Sequence, residues 1–250
     1  MAIALKTERL CRTFGSFVAI DDVSLEIERG ARHALIGPNG AGKTTLLNLL
    51  TGVLRPDSGH VLLGNERVTR LPQHTRVRRG LSRTFQLNTL FAGLTVLESV
   101  ALAACERRAE CGDWLRPVAA RRSAQAEAWE VLRSLQLGED SAVLTHHLPY
   151  GKQRLLEIAV ALVARPKVLL LDEPAAGIPS RESAELFETI EQLPADVTIL
   201  LIEHDMSLVF RFAGRITVMA AGRVLAEGTP AAIAANAEVR ELYLGNEAHA

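Results

Sequence analysis

The stretch that most restricts what this chain can become is "GPNGAGKTT", Gly37 to Thr45. It holds the spacing G-x-x-x-x-G-K-T through Gly37, Gly42, Lys43 and Thr44. Glycines let successive backbone N–H groups turn inward around an anion, and the positive end of a following helix adds to that field. Lys43 would neutralise the outer phosphates of a nucleotide, and the Thr44 hydroxyl would ligate Mg²⁺. Ordinary glycine usage makes a chance match rare, on the order of one chain in a hundred at this length. The flanks also fit. "HALIG" reads as a strand entering the loop, and "KTTLLNLLTG" as a helix stopped by Gly52. A bare glycine-rich turn requires neither.

A phosphate loop raises the reading of acids elsewhere. Asp172 follows "VLLL" at the end of a fully apolar strand, where its carboxylate would hold Mg²⁺ directly or through water. Glu173 comes one residue later and would polarise an attacking water as general base. Without the loop, either acid would be an ordinary strand-end residue. His204 follows "VTILLIE"; its strand is expected beside that of Asp172, which brings it near the terminal phosphate. Gln86, in "RTFQ", is placed to reach the metal or the water. Phe14, in "RTFGSF", offers an aromatic face for a purine, with core packing and Phe17 as competitors. His146 and His147 have no further ligands in register and read as a solvated turn.

Composition sets the remaining limits. The chain has 250 residues, 48% hydrophobic and 23% charged, enough for a substantial core in one or two domains. A net charge of -1 excludes a global basic field for nucleic acid or anionic lipid. Local arginines at 76, 78 and 79 read as a solvated face. Cys11, Cys105 and Cys111 lack metal-ligand spacing and fit a reducing compartment. Charge arrives within six residues of the N-terminus, too soon for a signal-peptide core. The longest apolar run, "IAVALVA" at 158–164, falls far short of the roughly 20 residues that span a bilayer. A soluble, cytoplasmic chain is expected.

Periodicity then orders the elements. "VSLEI" alternates Val23, Leu25 and Ile27 and predicts a half-buried strand. "HVLLG" and "RTFQL" at 83–87 have strand composition. Thr95 and Glu98 predict a capping box for "LTVLESVALAAC". A second helix is expected around 121–136. A third should bury Leu155, Ile158, Ala159, Leu162 and Val163, preceded by a Pro-Tyr-Gly turn and ended by Pro166. Parallel-sheet logic resumes with "KVLLLDE", "SRESAELFETIEQL" and "VTILLIEH". "RITVMAAGRVLAEG" predicts a hairpin turning at Ala221-Gly222.

Together these residues resemble the ATP-binding subunit of ABC transporters, over nearly the whole chain. "GPNGAGKTT" matches the Walker A motif, "RTFQ" the Q-loop, "LLLDEP" Walker B with its catalytic Glu, and "LIEHD" the switch histidine; Phe14 matches the adenine-stacking position. "LPYGKQ" stands in the place of the signature, with Pro149, Tyr150 and Lys152 where most of the superfamily has Ser, Gly and Gln. "YG-x-QR-x-LEIA", "DEPAAG", "IEHDM", "EGTP" and "YLG" are similar to the ATPases of branched-chain amino-acid importers. Pro179 stands where the D-loop usually has Asn or Asp.

The resemblance implies an α/β fold: a RecA-like P-loop NTPase core with an antiparallel β subdomain and an inserted helical subdomain. It implies one ABC ATPase domain over 1–250, with 1–87 and 164–250 as core and 88–163 helical. The cofactors implied are ATP and Mg²⁺. Phe14 and Gly37, Pro38, Asn39, Gly40, Ala41, Gly42, Lys43, Thr44 and Thr45 would bind nucleotide. Tyr150, Gly151 and Lys152 would touch nucleotide held by a second copy. Thr44, Gln86 and Asp172 would hold the metal, and Glu173, His204, Gln86 and Lys43 would act in hydrolysis. The partners implied are two transmembrane permease subunits, a second ATPase subunit, identical or different, and indirectly an extracytoplasmic solute-binding protein; nucleic acid is not among them. The location implied is the inner face of the plasma membrane. The expected function is powering uptake of a small solute, branched-chain or related amino acids above others. The alternative is an assembly ATPase of a soluble complex uncoupled from transport. "LNTLFAGLTV" after Gln86 is where a permease helix would dock, with packing of the helical subdomain as the equal alternative.

Overall fold

Alternation of side chains decides the layers. Val23, Leu25 and Ile27 are buried while Ser24 and Glu26 between them are exposed, so β2 (Phe17–Glu28) offers one face to a core. It pairs antiparallel with β1 (Ile3–Phe14), which pairs with β4 (Ser58–Leu63), and β4 with the short β5 (Glu66–Arg67). This sheet has the order β2-β1-β4-β5. The structure is a computed structural model and describes residues 2–84, 90–109 and 121–247.

The central strands of the second sheet are buried on both faces. It comprises β3 (Arg32–Ile36), β6 (Leu81–Arg83), β7 (Val168–Asp172), β8 (Thr198–Ile202), β9 (Arg215–Ala220) and β10 (Arg223–Gly228). Its order is β10-β9-β3-β8-β7-β6; only β10 runs antiparallel to its neighbour. Every residue of β7 and β8 is buried. Leu169, Leu171, Ile199 and Leu201 face one apolar cluster, and Val168, Leu170, Leu200 and Ile202 the other. Apolar runs without polar alternation are what a doubly covered parallel sheet requires. Each such side chain contributes roughly 1.5–3 kcal/mol relative to exposure.

Helices form the covers. α1 (Lys43–Thr51) lies in the cluster shared with the antiparallel sheet. On the other face lie α3 (Val96–Arg107), α4 (Arg122–Ser134), α5 (Tyr150–Val163), α6 (Ser180–Glu191) and α7 (Met206–Phe212). α2 (Gln73–Arg78) precedes β6, and α8 (Pro230–Ala235) and α9 (Ala237–Glu247) follow β10. Among the described residues between β6 and β7 no strand is named. The capping box of α3 is complete: Glu98 N–H donates to Thr95 Oγ1 at 3.2 Å, and Thr95 N–H to Glu98 Oε2 at 2.8 Å. The hairpin turns at Ala221 and Gly222, both at positive φ. Among the described residues no helix is long and apolar enough to cross a membrane.

Three details differ from the sequence reading. β6 ends at Arg83; Phe85 to Leu87 of the expected strand lie outside the described residues. α5 starts at Tyr150, so the Pro-Tyr-Gly set is its cap and first turn rather than a turn ahead of it. Proline is suited to a helix entrance, because the first N–H groups have no partner there. The buried stripe of α5 runs through Leu156, Ile158, Ala159 and Val163, leaving Leu155 and Leu162 partly buried. The helix is rotated toward Arg154 and Glu157, which bury an ion pair at 2.9 Å on the same side.

Candidate nucleotide site

Parallel strands share their C-terminal ends, so the segments after β3, β7 and β8 emerge on one edge of the sheet. That edge gathers the loop from Gly37, the acids Asp172 and Glu173, and His204. The loop turns through Gly42, at φ 100°, which forms the N-cap of α1. A methyl group on Gly42 would stand 2.6 Å from the Ala19 carbonyl oxygen, so both the angle and the approach of β2 demand glycine. Lys43 Nζ donates to the carbonyls of Gly37 at 2.6 Å and Pro38 at 3.0 Å, spanning the loop. Burial pulls the Lys43 ammonium below its usual range, and the carboxylates of Glu173 and Asp172 pull it back. Asn39, Gly40 and Thr44 are exposed, Pro38 and Thr45 partly so, while Gly37 and Ala41 are buried. Thr44 thus presents its residue at the open mouth of the helix, one position after the lysine.

Asp172 closes β7 and is 2% exposed. Arg83 Nη2 donates to its Oδ2 at 2.6 Å. Glu173 follows at φ 48°, a left-handed backbone that turns its carboxylate out of the strand. Glu173 Oε1 lies 2.6 Å from His204 Nε2. The sequence placed these two residues on adjacent strands; β7 and β8 pair with Asp172 opposite Ile202, and the side chains meet. His204 is held just before α7, whose N-cap Asp205 accepts from the N–H groups of Ser207 at 2.8 Å and Leu208 at 3.4 Å.

Phe14 ends β1 opposite Phe17, at the tip of the hairpin whose second strand abuts the loop at Ala19. The Arg12 guanidinium covers the Phe14 ring at 4.8 Å. Phe17 is more exposed, 61% against 44%. Gln86 lies outside the described residues. Tyr150, Gly151 and Lys152 are not part of the cluster around the loop. Tyr150 packs beside Gly177 and accepts from Arg154 Nη2 at 2.5 Å; Gly151 faces Glu182. Lys152 Nζ is engaged by Asp140 at 2.7 Å. His146 and His147 form an exposed 3-10 turn, as expected.

Three further side chains at this edge were given no role in the sequence reading. Arg83 holds Asp172. Glu203, 5% exposed, accepts from Ala175 N–H at 2.9 Å with one oxygen and from His204 N–H at 3.0 Å with the other. It therefore ties the segment after Glu173 to the histidine. Tyr243 of α9 faces the backbone N–H of Gly37, and burial pushes its phenol up to about 12. Arg83 lies within "RTFQ", Glu203 within "LIEHD" and Tyr243 within "YLG", yet none of these strings points to the contacts the side chains make.

The groups present fit Mg²⁺, which needs few protein oxygens because phosphates and waters complete its shell. A threonine hydroxyl and a buried carboxylate are hard oxygen donors. Among the described residues no group of three or more His, Cys, Asp or Glu forms a self-contained metal cage.

Comparison with known proteins gives the family. Residues 20–176 match the family model described as "ABC transporter", and residues 223–249 that described as "Branched-chain amino acid ATP-binding cassette transporter". The chain is 42% identical over 249 residues to the high-affinity branched-chain amino acid transport ATP-binding protein LivG of Salmonella typhimurium, covering 96% of this chain and 97% of that one. It is 40% identical over 251 residues to BraF of Pseudomonas aeruginosa, named for the same transport, with the same coverage. Among solved structures it is similar to a nucleotide-free ATP-binding cassette from an ABC transporter (TM-score 0.85, 29% identity, 96% and 98% of the two chains). A second, in an ADP conformation, gives a TM-score of 0.84 at 29% identity and covers 98% and 100%. A dimeric bacterial ABC transporter cassette matches at 0.75 and 25%, covering 90% and 98%.

Proposed function

From the premise that the chain belongs to the ABC transporter family of ATP-binding subunits, in its branched-chain amino-acid branch, we propose how its residues divide the work. The chain is the ATP-hydrolysing subunit of an importer. Its solute, in our reading, is a branched-chain or related amino acid. Phe14 stacks on the purine, its other face covered by Arg12. Residues Gly37 to Thr45 cradle the phosphates with backbone N–H groups, and Lys43 neutralises the outer ones. Thr44, Asp172 and Gln86 hold Mg²⁺, which when bound offsets charge on the phosphates. Glu173 accepts the proton of the attacking water at its carboxylate. His204 fixes that carboxylate through the 2.6 Å contact and meets the transferred phosphoryl group.

The observation that carries this reading is that contact, on the same edge as the phosphate loop. Two motif residues 31 positions apart are joined where the reaction needs a base and an orienting partner.

We further propose that two ATPase copies complete each other's sites. The entrance of α5 serves the partner's nucleotide. Pro149 has no N–H and Lys152 is engaged by Asp140, so the backbone at Tyr150–Gly151 and the helix N-terminus are what faces the anion. We assign 1–87 and 164–250 to the core and 88–163 to the helical subdomain. Between them runs a groove of about 1290 Å³ lined by Val77, Leu81, Leu90, Phe91, Leu102 and Ala103 among others. Phe91 is 64% exposed there. This is the surface we assign to a permease helix, placing the chain on the cytoplasmic face of the membrane. The test is phosphate release and solute uptake after reconstitution of the chain with its two permease subunits, its ATPase partner and the binding protein. Release coupled to amino-acid uptake is expected. Release without uptake of any amino acid would overturn the solute, and no release would overturn the ATPase.

A further inference from the structure

Arg83 opens the "RTFQ" string but was given no role there, yet it touches the acid that ends the strand beside it. Its side chain is 10% exposed and that of Asp172 1%. A carboxylate so deeply buried requires a partner, and the guanidinium supplies one at 2.6 Å. The contact takes one oxygen only: Arg83 Nη2 meets Oδ2. The second arm of the fork, Nη1, donates to Asn48 Oδ1 at 2.8 Å. Asn48 lies on α1 four residues after Thr44, hence on the same face of the helix one turn along. One planar group therefore connects the helix face carrying Thr44 to the acid ending β7. A lysine, with a single point of charge, does not reproduce this fork.

We infer that Arg83 is a positioning residue for the divalent cation: it locks Asp172 through Oδ2, leaves Oδ1 to the metal, and fixes the distance between Asp172 and the Thr44 face of α1 through Asn48. The inference rests on the assignment of Asp172 and Thr44 to Mg²⁺. It adds a residue that neither the phosphate loop nor the paired acids identify.

The test compares ATP affinity of the full chain in Mg²⁺ with that in EDTA, by calorimetry, for Arg83→Gln, Asn48→Ala and Asp172→Asn. The ratio of the two affinities isolates the metal from the nucleotide. Arg83→Gln is expected to reduce the Mg²⁺-dependent gain at least tenfold while affinity in EDTA changes less than twofold. Asn48→Ala keeps the charge pair and loses only the tether; its gain should fall severalfold, with a melting temperature near that of the parent. It serves as the readout if Arg83→Gln fails to fold. Equal loss in Mg²⁺ and in EDTA, or an unchanged ratio in both variants, would overturn the inference. Asp172→Asn separates the two failures. If it abolishes the gain while the other variants do not, Arg83 is dismissed and the metal site stands. If Asp172→Asn leaves the gain intact, the metal assignment itself falls.

Discussion

Glu173 sits at φ 48°, where a residue with a side chain is strained by on the order of 1 kcal/mol or more. That strain turns the carboxylate from the apolar strand toward His204. We expect Glu173→Gln to bind ATP as the parent does and to lose hydrolysis by about 10²–10⁴-fold, the usual worth of a positioned base; normal phosphate release would remove Glu173 from that role. Phe14→Ala should weaken ATP binding by about 1 kcal/mol, as loss of an aromatic contact does. Unchanged affinity would hand the stacking to Phe17 or to neither. Glu203 makes a pH prediction. Burial pushes its carboxyl above the ordinary glutamate range, against the pull of the N–H groups of Ala175, His204 and Asp205. The folded chain then holds this proton more tightly than the unfolded chain. Its contribution to stability falls as pH rises from the ordinary value through the raised one, and is level beyond it. The urea midpoint of the parent minus that of Glu203→Gln should decline across that window; a difference growing with pH would reverse the assignment. Lys43, Asp172 and Glu173, which type and spacing single out in the sequence, lie close enough for both carboxylates to act on the Lys43 ammonium, so their proximity was legible in the sequence. Arg83 and Glu203 were not. Each is an ordinary side chain whose meaning lies in a contact across the sheet edge, and no local spacing encodes that.

At the scale of elements, α1 carries both Lys43 and Thr44 on its first turn, and its far end is held by an unexpected group. Arg76, fully buried, donates to the carbonyls of Leu49, Leu50, Thr69 and Leu71. Two of these belong to the last turn of α1, where a cation meets the negative end of the helix. Burial pulls the guanidinium down to about 10, and it remains charged at neutral pH. Arg76→Met should leave these carbonyls unpartnered and cost on the order of 3 kcal/mol in denaturant unfolding. A cost near zero would mean that water replaces the guanidinium. The sequence reading placed Arg76 on a solvated face with Arg78 and Arg79, and for Arg76 that was wrong. A charged residue in a basic run is normally exposed; only the fold shows that α2 turns this one inward under α1. The strands fared better, because four consecutive apolar residues in β7 and again in β8 leave a doubly covered sheet as the simple reading. The rotation of α5 was missed because Arg154 and Glu157 neutralise each other inside, something a hydrophobic stripe does not reveal.

For the whole molecule, the surfaces assigned to two different nucleotides are continuous in one chain. Glu203 binds Ala175, the same loop reaches Gly177, and Gly177 packs against Tyr150 at the entrance of α5. The edge proposed for hydrolysis and the surface proposed for a partner thus share a short run of contacts. Family and fold were readable from motif order along the chain, since each motif needs its own strand or helix and all were present in sequence. The proposed dependence of one copy on another comes from resemblance alone, because a surface completed by a second molecule leaves no internal contact to predict.

The central claim is that one copy holds an incomplete reaction centre and two copies close on ATP. Phosphate release per chain, measured on the full chain as it is diluted at saturating Mg-ATP, tests this most directly. The account predicts that turnover per chain falls in proportion to concentration once the chain is too dilute to pair. Turnover per chain that stays constant down to the lowest concentration would contradict it.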